Sequence, residues 1–577
     1  MEKKMVVYVT DKKGGLQVED APNNLRTIAP YIEITLYGLN AAGQSFYEIS
    51  FRRKMDDQIV QRVVPASLLL SDREIIGFLV NNGFANIPLK EDEKALCNYL
   101  RESGNSANKG LFASKLGWLE DKFATEQKLP FVYVTPDKQY GASKSDLQIR
   151  FVQSDEQYNQ SMEVNGSLAD WKNNIGKYIK YSPLMTLGVC MAFGAIAMKP
   201  CGIENFIVHL HGTTTKGKTI TELVAQSIFR RATKNTLPSW DITPIGLMDK
   251  CRAFADSIFI LDEVTKFPDV PSKLQQMIYR ATNGSGKITS FAYAKSVNRV
   301  DLSWVIPILS SGEKSISQIL EEGNVKLLAG RGVRCFEIVA KRHPEYFNFT
   351  SLPKCFKKSV QLAKFLETNA SKYYGTPARE FLRKFLKKTE ERIALIKSQM
   401  HKFYEQQNLE EGDVKGRIAD RFAFLEAVGL LAIKFKILPM KKNLLKEHIR
   451  LLCSEVLAQH KTDEELCQEG IKMLKKALRK ATLVKVKQKG KTFTDDEKMA
   501  FGYLIMRDKE PSRHFLAVRK GSFDAVFESQ HQADVVTRYL KKIGLLTHRQ
   551  VDFVDFDNRP QFHCLNLDKL RKEGLYK

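Results

Sequence analysis

The spacing of hydrophobic and polar residues divides the chain into segments of different predicted structure. Residues 1–165 hold short β-branched and aromatic runs such as YIEITLYG and SFYEISFRR, one helix (DEKALCNYLRES) and a hairpin from GWL to FVYVTP. Residues 166–203 are helical, residues 204–345 alternate strand and helix, residues 346–490 are helical with lysine-rich faces, and residues 491–577 mix short helices with a terminal hairpin. A chain of 577 residues is too long to fold around a single hydrophobic core, so we predict a multidomain protein. It has a mixed, β-rich N-terminal domain, a helical linker or collar, a mostly parallel α/β core, a helical lid region and a small C-terminal domain.

The most apolar stretch, Leu184–Met198, is expected to be a buried helix. It is shorter than the roughly 20 residues that a helix needs to cross a bilayer. The N-terminus MEKKMVVYVT lacks the apolar segment of a signal peptide, and the nine cysteines form no CxxC pair. We therefore expect a soluble cytoplasmic protein with no membrane partner, disulfide framework or structural zinc site.

The charge of the chain changes this picture. Lysine and arginine number 90 against 66 aspartates and glutamates, which leaves a net charge of +24. Such an excess favours polyanions, and nucleic acid is the commonest such partner. The alternative is a soluble protein that is merely rich in lysine.

A glycine-rich loop follows the predicted strand Phe206–Leu210 and precedes a helix. Its sequence GTTTKGKT matches the phosphate-binding pattern GxxxxGK[ST]. The backbone N–H groups of such a loop point at phosphates, and the helix N-terminus adds its positive dipole end. Lys218 is expected to contact the β- and γ-phosphates, and the Thr219 hydroxyl to ligate magnesium. The predicted nucleotide-binding residues are Gly212, Thr213, Thr214, Thr215, Lys216, Gly217, Lys218 and Thr219.

Two acids complete the predicted site. Asp262 and Glu263 directly follow the apolar strand Ser257–Leu261. Asp262 is expected to hold magnesium through water, and Glu263 to polarise the attacking water. A buried strand that ends in two solvated acids is common by itself, but here an α/β pattern links it to the phosphate loop. The two motifs together predict ATP hydrolysis with ATP and Mg²⁺ as cofactors, and they resemble those of an AAA+ motor.

A third strand, Trp304–Leu309, ends in two serines. In AAA+ motors a polar residue at this place senses the γ-phosphate, and Ser311 or Ser310 would take that role here. Asparagine or threonine is more usual at this position. The alternative is a strand-end turn that requires only small residues.

The segment ATNGSGKITSFAYAKSVNRVDLS, between the acids and this strand, reads as two strands about a turn. It carries the basic residues Lys287, Lys295 and Arg299, with aromatic residues between them. Ring helicases of superfamily 3 and of the MCM type have a similar hairpin that grips one DNA strand. Basic and aromatic side chains together bind single strands, so we predict DNA contacts here. The alternative is a solvated basic loop.

Four arginines are candidates for completing the nucleotide site. Arg331 and Arg334 precede a strand, and one of them is expected to reach the site of a neighbouring subunit and stabilise transition-state charge, with Arg334 preferred. Arg417 and Arg421 lie one helical turn apart and are candidates for a second sensor arginine in a lid helix. Each of the four is equally compatible with a structural ion pair.

The C-terminal residues predict a winged helix. DVVTRYLKKIGLL forms an amphipathic helix that exposes Arg538, Lys541 and Lys542, and a basic hairpin follows it. In such domains the helix enters the major groove of DNA, although many winged helices bind proteins instead. The stretch from Lys472 to Lys489 contains eight basic residues and no acids. It is either a phosphate-tracking helical arm or a solvated helix face.

The motif order along nearly the whole chain resembles a known family. DEKALCNYLRES, LGWLE, FVYVTP, SLADWK, HLHGTTTKGKT, FILDE, ATNGSGK, ILSSGE, GRGVR and DVKGRIADRFAFLEAVG occur in the order typical of the family catalogued as domain of unknown function 927. That family includes replicative helicases of phages, pathogenicity islands and staphylococcal-type cassette elements. A serine in place of the usual sensor asparagine, and a hairpin poorer in arginine, depart from its pattern.

The resemblance implies an ATP-dependent hexameric DNA helicase, moving 3′ to 5′, in the replication of a mobile element or phage. Its partners would be single-stranded and duplex DNA, further copies of the chain and replication accessory proteins. Two alternatives stay open. One is an AAA+ initiator or defence ATPase that does not unwind processively, and the other is a protein-remodelling ATPase that uses the winged helix as an adaptor. The basic hairpin and the charge of +24 favour the helicase over the protein remodeller.

Overall fold

The computed structural model describes most of the chain: residues 7–21, 24–119, 131–141, 148–152, 162–213, 217–284, 303–325, 333–407, 409, 414–459, 463–486, 493–506, 514–527, 529–547 and 561–576. The chain divides into two compact units, Met1–Val456 and Leu457–Lys577. The protein is multidomain and mixed α/β, with a β-rich N-terminal region and a helical later part, as the sequence predicts. The bounds of the five predicted domains stay predictions.

Among the described residues, the N-terminal region contains two larger sheets and two α-helices. Its elements are β1 (Tyr8–Asp11), β2 (Gly15–Ala21), β3 (Asn24–Ala29), β4 (Ile32–Asn40), β5 (Ser45–Arg52), β6 (Ile59–Pro65), α1 (Asp72–Asn81), α2 (Lys90–Ser106), β7 (Asn108–Ala113) and β11 (Gln148–Phe151). Strands β1, β2 and β3 form a three-stranded sheet, and β11, β7, β4, β5 and β6, in that spatial order, form a five-stranded sheet. Alternate residues of β4 are buried, as expected for a strand with one face on a core.

The predicted GWL–FVYVTP hairpin is present as part of a small separate sheet. Strands β8 (Gly117–Trp118) and β9 (Tyr133–Val134) are antiparallel, and β10 (Gln139–Tyr140) pairs with β9. The helix predicted from DEKALCNYLRES is α2. Both expectations for this part of the chain are confirmed.

The α/β core contains a parallel sheet and the helices that cover it. Its elements are α3 (Leu168–Asn174), α4 (Pro183–Cys201), β12 (Phe206–His211), α5 (Lys218–Gln226), α6 (Pro244–Ala253), β13 (Phe259–Leu261), α7 (Pro271–Asn283), β14 (Pro307–Gly312), α8 (Ile316–Glu322) and β15 (Cys335–Val339). The four strands are all parallel and have the spatial order β13, β14, β12, β15. Helices α6, α7 and α8 pack on β13 and β14 through a large apolar cluster.

Helix α4 carries the apolar stretch and is a core helix. The Ser182 hydroxyl caps its N-terminus, Pro183 occupies its first turn, and Gly202 ends it with a φ of +73°. It is the one helix among the described residues that is long and apolar enough to cross a membrane, yet 83% of its apolar window is buried inside the protein. The expectation of a buried helix is confirmed.

Among the described residues, five helices follow the sheet: α9 (Ser359–Ala370), α10 (Thr376–Phe385), α11 (Thr389–Gln407), α12 (Val414–Lys434) and α13 (Lys442–Gln459). Helix α12 is buried along most of its length and packs against α4 and α11. The predicted helical region is therefore present over these residues.

The second unit has its own sheet and its own apolar core. Its elements are α14 (Asp463–Lys480), β16 (Leu483–Val486), α15 (Asp495–Lys498), β17 (Gly502–Ile505), β18 (Phe515–Arg519), α16 (Lys520–Asp524), α17 (Gln530–Lys542), β19 (Leu546–Thr547), β20 (Phe562–Asn566) and α18 (Leu567–Lys572). The five strands have the spatial order β16, β17, β18, β20, β19.

The basic stretch that begins at Lys472 belongs partly to this core. It is helical only to Lys480 and is followed by β16, so a helical arm as far as Lys489 is wrong. Leu474 and Leu478 of α14 are buried in the core of the second unit, while the lysines beside them face outward. Packing of these leucines therefore fixes the helix against its own unit.

A buried set of hydrogen bonds joins the β8–β10 sheet to the α/β core. The Trp118 backbone N–H donates to Asp256 Oδ2 at 3.0 Å, and the Tyr133 hydroxyl donates to the Asp256 carbonyl at 2.8 Å. The Trp118 indole donates to the Ile196 carbonyl of α4 at 2.9 Å. Asp256 also donates its backbone N–H to the Val305 carbonyl, so this contact lies where both β13 and β14 are about to begin. The hairpin thus holds the N-terminal region against the base of two core strands.

Replacing Gly117 by alanine is expected to destabilise the protein at this contact. A Cβ there would lie 2.5 Å from Asp256 Oδ2, and the residue has a φ of +98°. Such overpacking costs about 1–3 kcal/mol in addition to the backbone strain. Gly43→Ala is the matched control, because Gly43 has a φ of +78° and a Cβ added there would have no atom within 4 Å. Thermal unfolding of both variants should show the larger loss for Gly117→Ala, and equal losses would contradict the tight contact.

Candidate nucleotide-binding site

The phosphate-loop residues lie between β12 and α5. Gly212 has a φ of +141° and donates its backbone N–H to the Glu313 carbonyl at 3.2 Å. Gly217 is the N-cap of α5, and the Lys218 ammonium donates to the Gly212 carbonyl at 2.7 Å, which folds this side chain back across the loop. The strand–loop–helix order that the motif requires is therefore present. Thr213 is exposed and Thr219 is partly exposed, while Thr214, Thr215 and Lys216 lie outside the described residues.

Asn348 supports the start of α5 from a distant part of the chain. Its Nδ2 donates to the Gly217 carbonyl at 3.0 Å, and its side chain is buried. A Cβ on Gly217 would lie 2.4 Å from Asn348 Cγ, so only glycine fits at this point of the loop. Sequence reasoning missed Asn348, because it stands 131 residues from Gly217 in a segment without a motif.

The two acids directly follow β13, at the carboxyl ends of the strands, where the phosphate loop also lies. The Asp262 backbone N–H donates to the Pro238 carbonyl at 2.8 Å, and its carbonyl accepts from Trp240. Glu263 has a φ of +58°, an unusual backbone conformation for this residue type. Its carboxylate accepts a hydrogen bond from the Thr265 hydroxyl. Both acidic side chains are partly exposed and so remain accessible to a ligand.

The two serines at the end of β14 have different partners. The Ser311 hydroxyl donates to Asp262 Oδ1 at 2.8 Å and lies 3.4 Å from the Glu263 backbone N–H, which donates to it. Ser310 instead accepts from the Trp240 indole at 2.8 Å and bonds His209 Nδ1 at 3.0 Å. The serine beside the acids is therefore Ser311, while Ser310 is a buried structural residue.

His209 is held neutral within this edge of the sheet. Burial lowers the pKa of its imidazole to about 4, against a smaller opposing effect of its hydrogen bond to the Lys314 carbonyl. Its second ring nitrogen, Nε2, lies 3.0 Å from that carbonyl. Both ring nitrogens are thus used in packing, and no proton exchange is expected from His209 near neutral pH.

Glu222 is the second residue that sequence reasoning missed. It lies on α5 three residues after Thr219, and its side chain is fully buried. Burial first, and then the negative charge of Asp262, raise the pKa of its carboxyl group well above the usual range. The spacing of three from Thr219 was the available signal, because residues three apart share a helix face.

The arginine proposed to act on a neighbouring subunit lies at the amino-terminal ends of the strands, opposite the phosphate loop. Arg334 immediately precedes β15, its carbonyl accepts from the Ile207 N–H near the start of β12, and its guanidinium donates to Asn283 Oδ1. Gly212 of the phosphate loop lies five residues after Ile207 along β12, so the two ends of the sheet are about 17 Å apart at the roughly 3.3 Å rise of a strand. Arg334 therefore does not reach the phosphate loop of its own chain. Arg331 lies outside the described residues.

The two arginines of α12 are not equivalent. Arg417 is exposed, whereas Arg421 is buried and donates to Glu204 Oε2 at 2.8 Å. Glu204 stands two residues before β12, so this ion pair also lies at the edge away from the phosphate loop. Arg421 therefore lies away from the acids of its own chain, and the sensor role of both arginines stays a prediction.

The predicted DNA-contacting residues fall into two groups. Lys287, Lys295 and Arg299 lie outside the described residues. In the second unit, Lys541 and Lys542 are exposed at the end of α17, and Arg538 pairs with Asp463 at 3.0 Å. The opposite face of α17 packs into the core of that unit. A basic outer face is therefore present on the helix that was expected to carry it.

The described site fits magnesium bound mostly through water. No cluster of three or more His, Cys, Asp or Glu with metal-ligand spacing occurs among the described residues. Thr219 and Asp262 nevertheless stand at one sheet edge beside a buried carboxyl group whose oxygens lack a hydrogen-bond partner. Mg²⁺ typically takes one or two protein oxygens, substrate phosphates and several waters, and these residues match that preference.

Comparison with known proteins adds a family. The sequence model of the domain of unknown function DUF927 matches residues 4–293, half of the chain. The chain belongs to this family. No protein with a curated functional description matches the DUF927 chain. The family that the motifs indicated is thereby confirmed.

A solved structure described as "SCCmec type IV Cch - active helicase" is similar to the DUF927 chain over 100% of both chains, with a TM-score of 0.65 and 14% sequence identity. At this identity the likeness shows a shared fold. Two structures of the NrS-1 C-terminal region, each at 11% identity, align with 70% of this chain and with 88% and 87% of theirs. Their TM-scores of 0.26 and 0.25 are too low to carry an argument.

Ser310→Ala is expected to lower the stability of the DUF927 chain more than Ser311→Ala does. It removes the hydrogen-bond partner of the buried Trp240 indole, and an unsatisfied buried donor costs about 1–3 kcal/mol. Ser311→Ala removes one donor from Asp262, which is partly exposed and can bond water. Melting temperatures of the two variants check this order, and a larger loss for Ser311→Ala would reverse the assignment.

Proposed function

We propose that this protein is an ATP-dependent DNA helicase with an AAA+ core, working as a ring of six subunits in the replication of a mobile genetic element or phage. The observation that carries the proposal is the meeting of Lys218, Asp262, Glu263 and Ser311 at one edge of a parallel sheet. Ligands of α/β proteins bind outside the carboxyl ends of such strands.

Each of these side chains suits one part of ATP hydrolysis. The Lys218 ammonium exchanges the Gly212 carbonyl for the β- and γ-phosphates, since a charged oxygen is the better acceptor. Thr219 and Asp262 hold Mg²⁺, which supplies positive charge against the phosphates. Glu263 orients the attacking water, and Ser311 keeps Asp262 in place through its hydrogen bond. Arg417 and Arg421 of the proposed lid helix remain the candidates for the second sensor role.

The position of Arg334 supports a ring. It stands at the sheet edge opposite the phosphate loop, and Arg421 is also away from that loop. A neighbouring subunit that presents this edge would bring Arg334 to the phosphates, where a positive charge stabilises the transition state. We propose that Arg334, or Arg331 beside it, acts in this way.

DNA is the proposed track of the motor. The net charge of +24 supports a polyanionic partner. Lys287, Lys295 and Arg299 are proposed to contact a single strand, with 3′ to 5′ movement. Helix α17 followed by the antiparallel pair β19 and β20 supports a winged helix in which Arg538, Lys541 and Lys542 meet duplex DNA. The fold shared with a structure described as an active helicase agrees with this proposal.

A second candidate is an AAA+ initiator, remodelling or defence ATPase that binds DNA without processive unwinding. The observation in its favour is that the second unit is compact by itself and exposes Lys541 and Lys542. Such a unit would bind duplex DNA whether or not the core moves along a strand. Displacement of a labelled strand from a forked duplex separates the two candidates.

Lys218→Ala is expected to abolish nucleotide binding, ATP turnover and unwinding. Glu263→Gln should bind ATP but hydrolyse it at least about a hundredfold more slowly, because positioned acid–base groups contribute on this scale. ATP turnover with and without single-stranded DNA, together with a fluorescent nucleotide titration, measures both effects. Hydrolysis at the wild-type rate by Glu263→Gln would remove this residue from the mechanism. Strand displacement without ATP, or none with it, would argue against the helicase.

Mixing two inactive variants tests the ring. An Arg334→Ala subunit retains its phosphate loop and a Lys218→Ala subunit retains its arginine, so some mixed interfaces contain one intact copy of each. Partial recovery of ATP turnover is expected on mixing. The control replaces the second partner by the double variant Lys218→Ala/Arg334→Ala, which offers no intact arginine. A monomeric mass with nucleotide, or equal turnover in both mixtures, would contradict a trans-acting Arg334.

A further inference from the structure

Helix α5 carries an acidic side chain toward the same place as its magnesium-ligating threonine. Thr219 and Glu222 are three residues apart and therefore lie on one helix face. Thr219 is partly exposed at the mouth of the site, whereas Glu222 lies one turn deeper with no solvent exposure. The helix thus directs a carboxyl group to the floor of the candidate site.

The surroundings of Glu222 leave its carboxyl group unsatisfied. By hydrogen-bond geometry neither carboxyl oxygen has a partner among the described residues, although Asp262 and Ser311 lie close enough to interact with the carboxyl group. The neighbouring polar groups are Asp262 and Ser311 on the facing strands and Lys218 at the start of the same helix. Ser311 already donates its proton to Asp262, and Lys218 is turned toward Gly212. Buried polar groups nearly always have partners, and water molecules around a bound cation would supply well-placed donors to Glu222.

A hydrated cation would satisfy the carboxyl group of Glu222. Two carboxyl groups face one another here, and an unpaired carboxylate in a buried place is costly. A cation beside Asp262 offsets both charges, and its water molecules supply the donors that Glu222 lacks. Magnesium keeps several waters when it binds proteins.

We propose that Glu222 belongs to the magnesium site, where its carboxylate accepts hydrogen bonds from the water shell of the cation held by Thr219 and Asp262. This assignment rests on the proposed ATPase function. It gives α5 two contributions to the metal, the Thr219 hydroxyl and the deeper Glu222 carboxylate. It also links the phosphate-loop helix to Asp262 through the bound ion.

The competing explanation is a neutral, purely structural acid. A protonated carboxyl group has nearly the shape of an amide, so under that explanation Glu222→Gln would behave as the wild type. Under our proposal the same substitution removes the charge that attracts the cation. Outer-shell substitutions of this kind typically weaken metal affinity by about 10- to 100-fold.

The experiment measures the affinity for ATP in the presence of magnesium and in the presence of a chelator. The ratio of the two affinities reports the metal alone. For Glu222→Gln this ratio is expected to fall by roughly tenfold, with the affinity in chelator unchanged. Gln226→Leu is the matched control, because Gln226 is buried one turn along the same helix and bonds the Arg231 carbonyl and Thr236 instead. Its ratio should equal that of the wild type.

Glu222→Asp provides a second variant if the amide does not fold. It retains the charge on a shorter side chain, and a smaller fall of the ratio is expected. A folded Glu222→Gln or Glu222→Asp protein with the wild-type ratio would overturn the assignment and leave Glu222 a neutral core residue. If the wild type binds ATP equally with and without magnesium, or not at all, the proposed ATPase function fails instead.

Discussion

The parallel alignment of β12, β13 and β14 is the constraint on which the candidate site depends. Leu261 pairs with Ser310, and Leu210 pairs with Ser311, so the three strands end at nearly the same level. Residues at the carboxyl ends of the three strands therefore lie close together in space, although they are far apart in the sequence. The Ser311–Asp262 hydrogen bond is the direct product of this register. A strand pairing shifted by one residue would turn Ser311 to the other face of the sheet.

The pleat of β14 gives the neighbouring residues Ser310 and Ser311 different partners. Neighbouring strand residues point to opposite faces. Ser310 bonds Trp240, which belongs to the apolar cluster under α6, α7 and α8, while Ser311 bonds Asp262. One serine thus stabilises the packing of the sheet and the other adjoins the acids. The two functions are kept apart by geometry, although the side chains are chemically identical.

Several contacts with other parts of the molecule lie near the amino-terminal ends of the strands, away from the candidate nucleotide site. Asp256 receives the hairpin of the N-terminal region there, and Arg421 pairs with Glu204. Arg334 lies at this edge as well, beside Asn283. Short, stiff strands connect the nucleotide edge to all three places. The contacts with the N-terminal region and the proposed contact with a neighbouring subunit therefore lie at the opposite end of the sheet from the candidate nucleotide site.

The sequence by itself determined the order of the elements, the phosphate loop and the two acids, because local patterns and short motifs specify them. It also identified the buried helix α4 from composition, and the family from the order of its motifs. It left Ser310 and Ser311 as alternatives, and it gave no sign of Asn348 or of the depth of Glu222. Those features were decided only by the tertiary structure. The Ser311–Asp262 hydrogen bond depends on strand register and joins segments more than 40 residues apart in the sequence. The burial of Glu222 likewise depends on the packing of distant segments. No local sequence pattern encodes either feature.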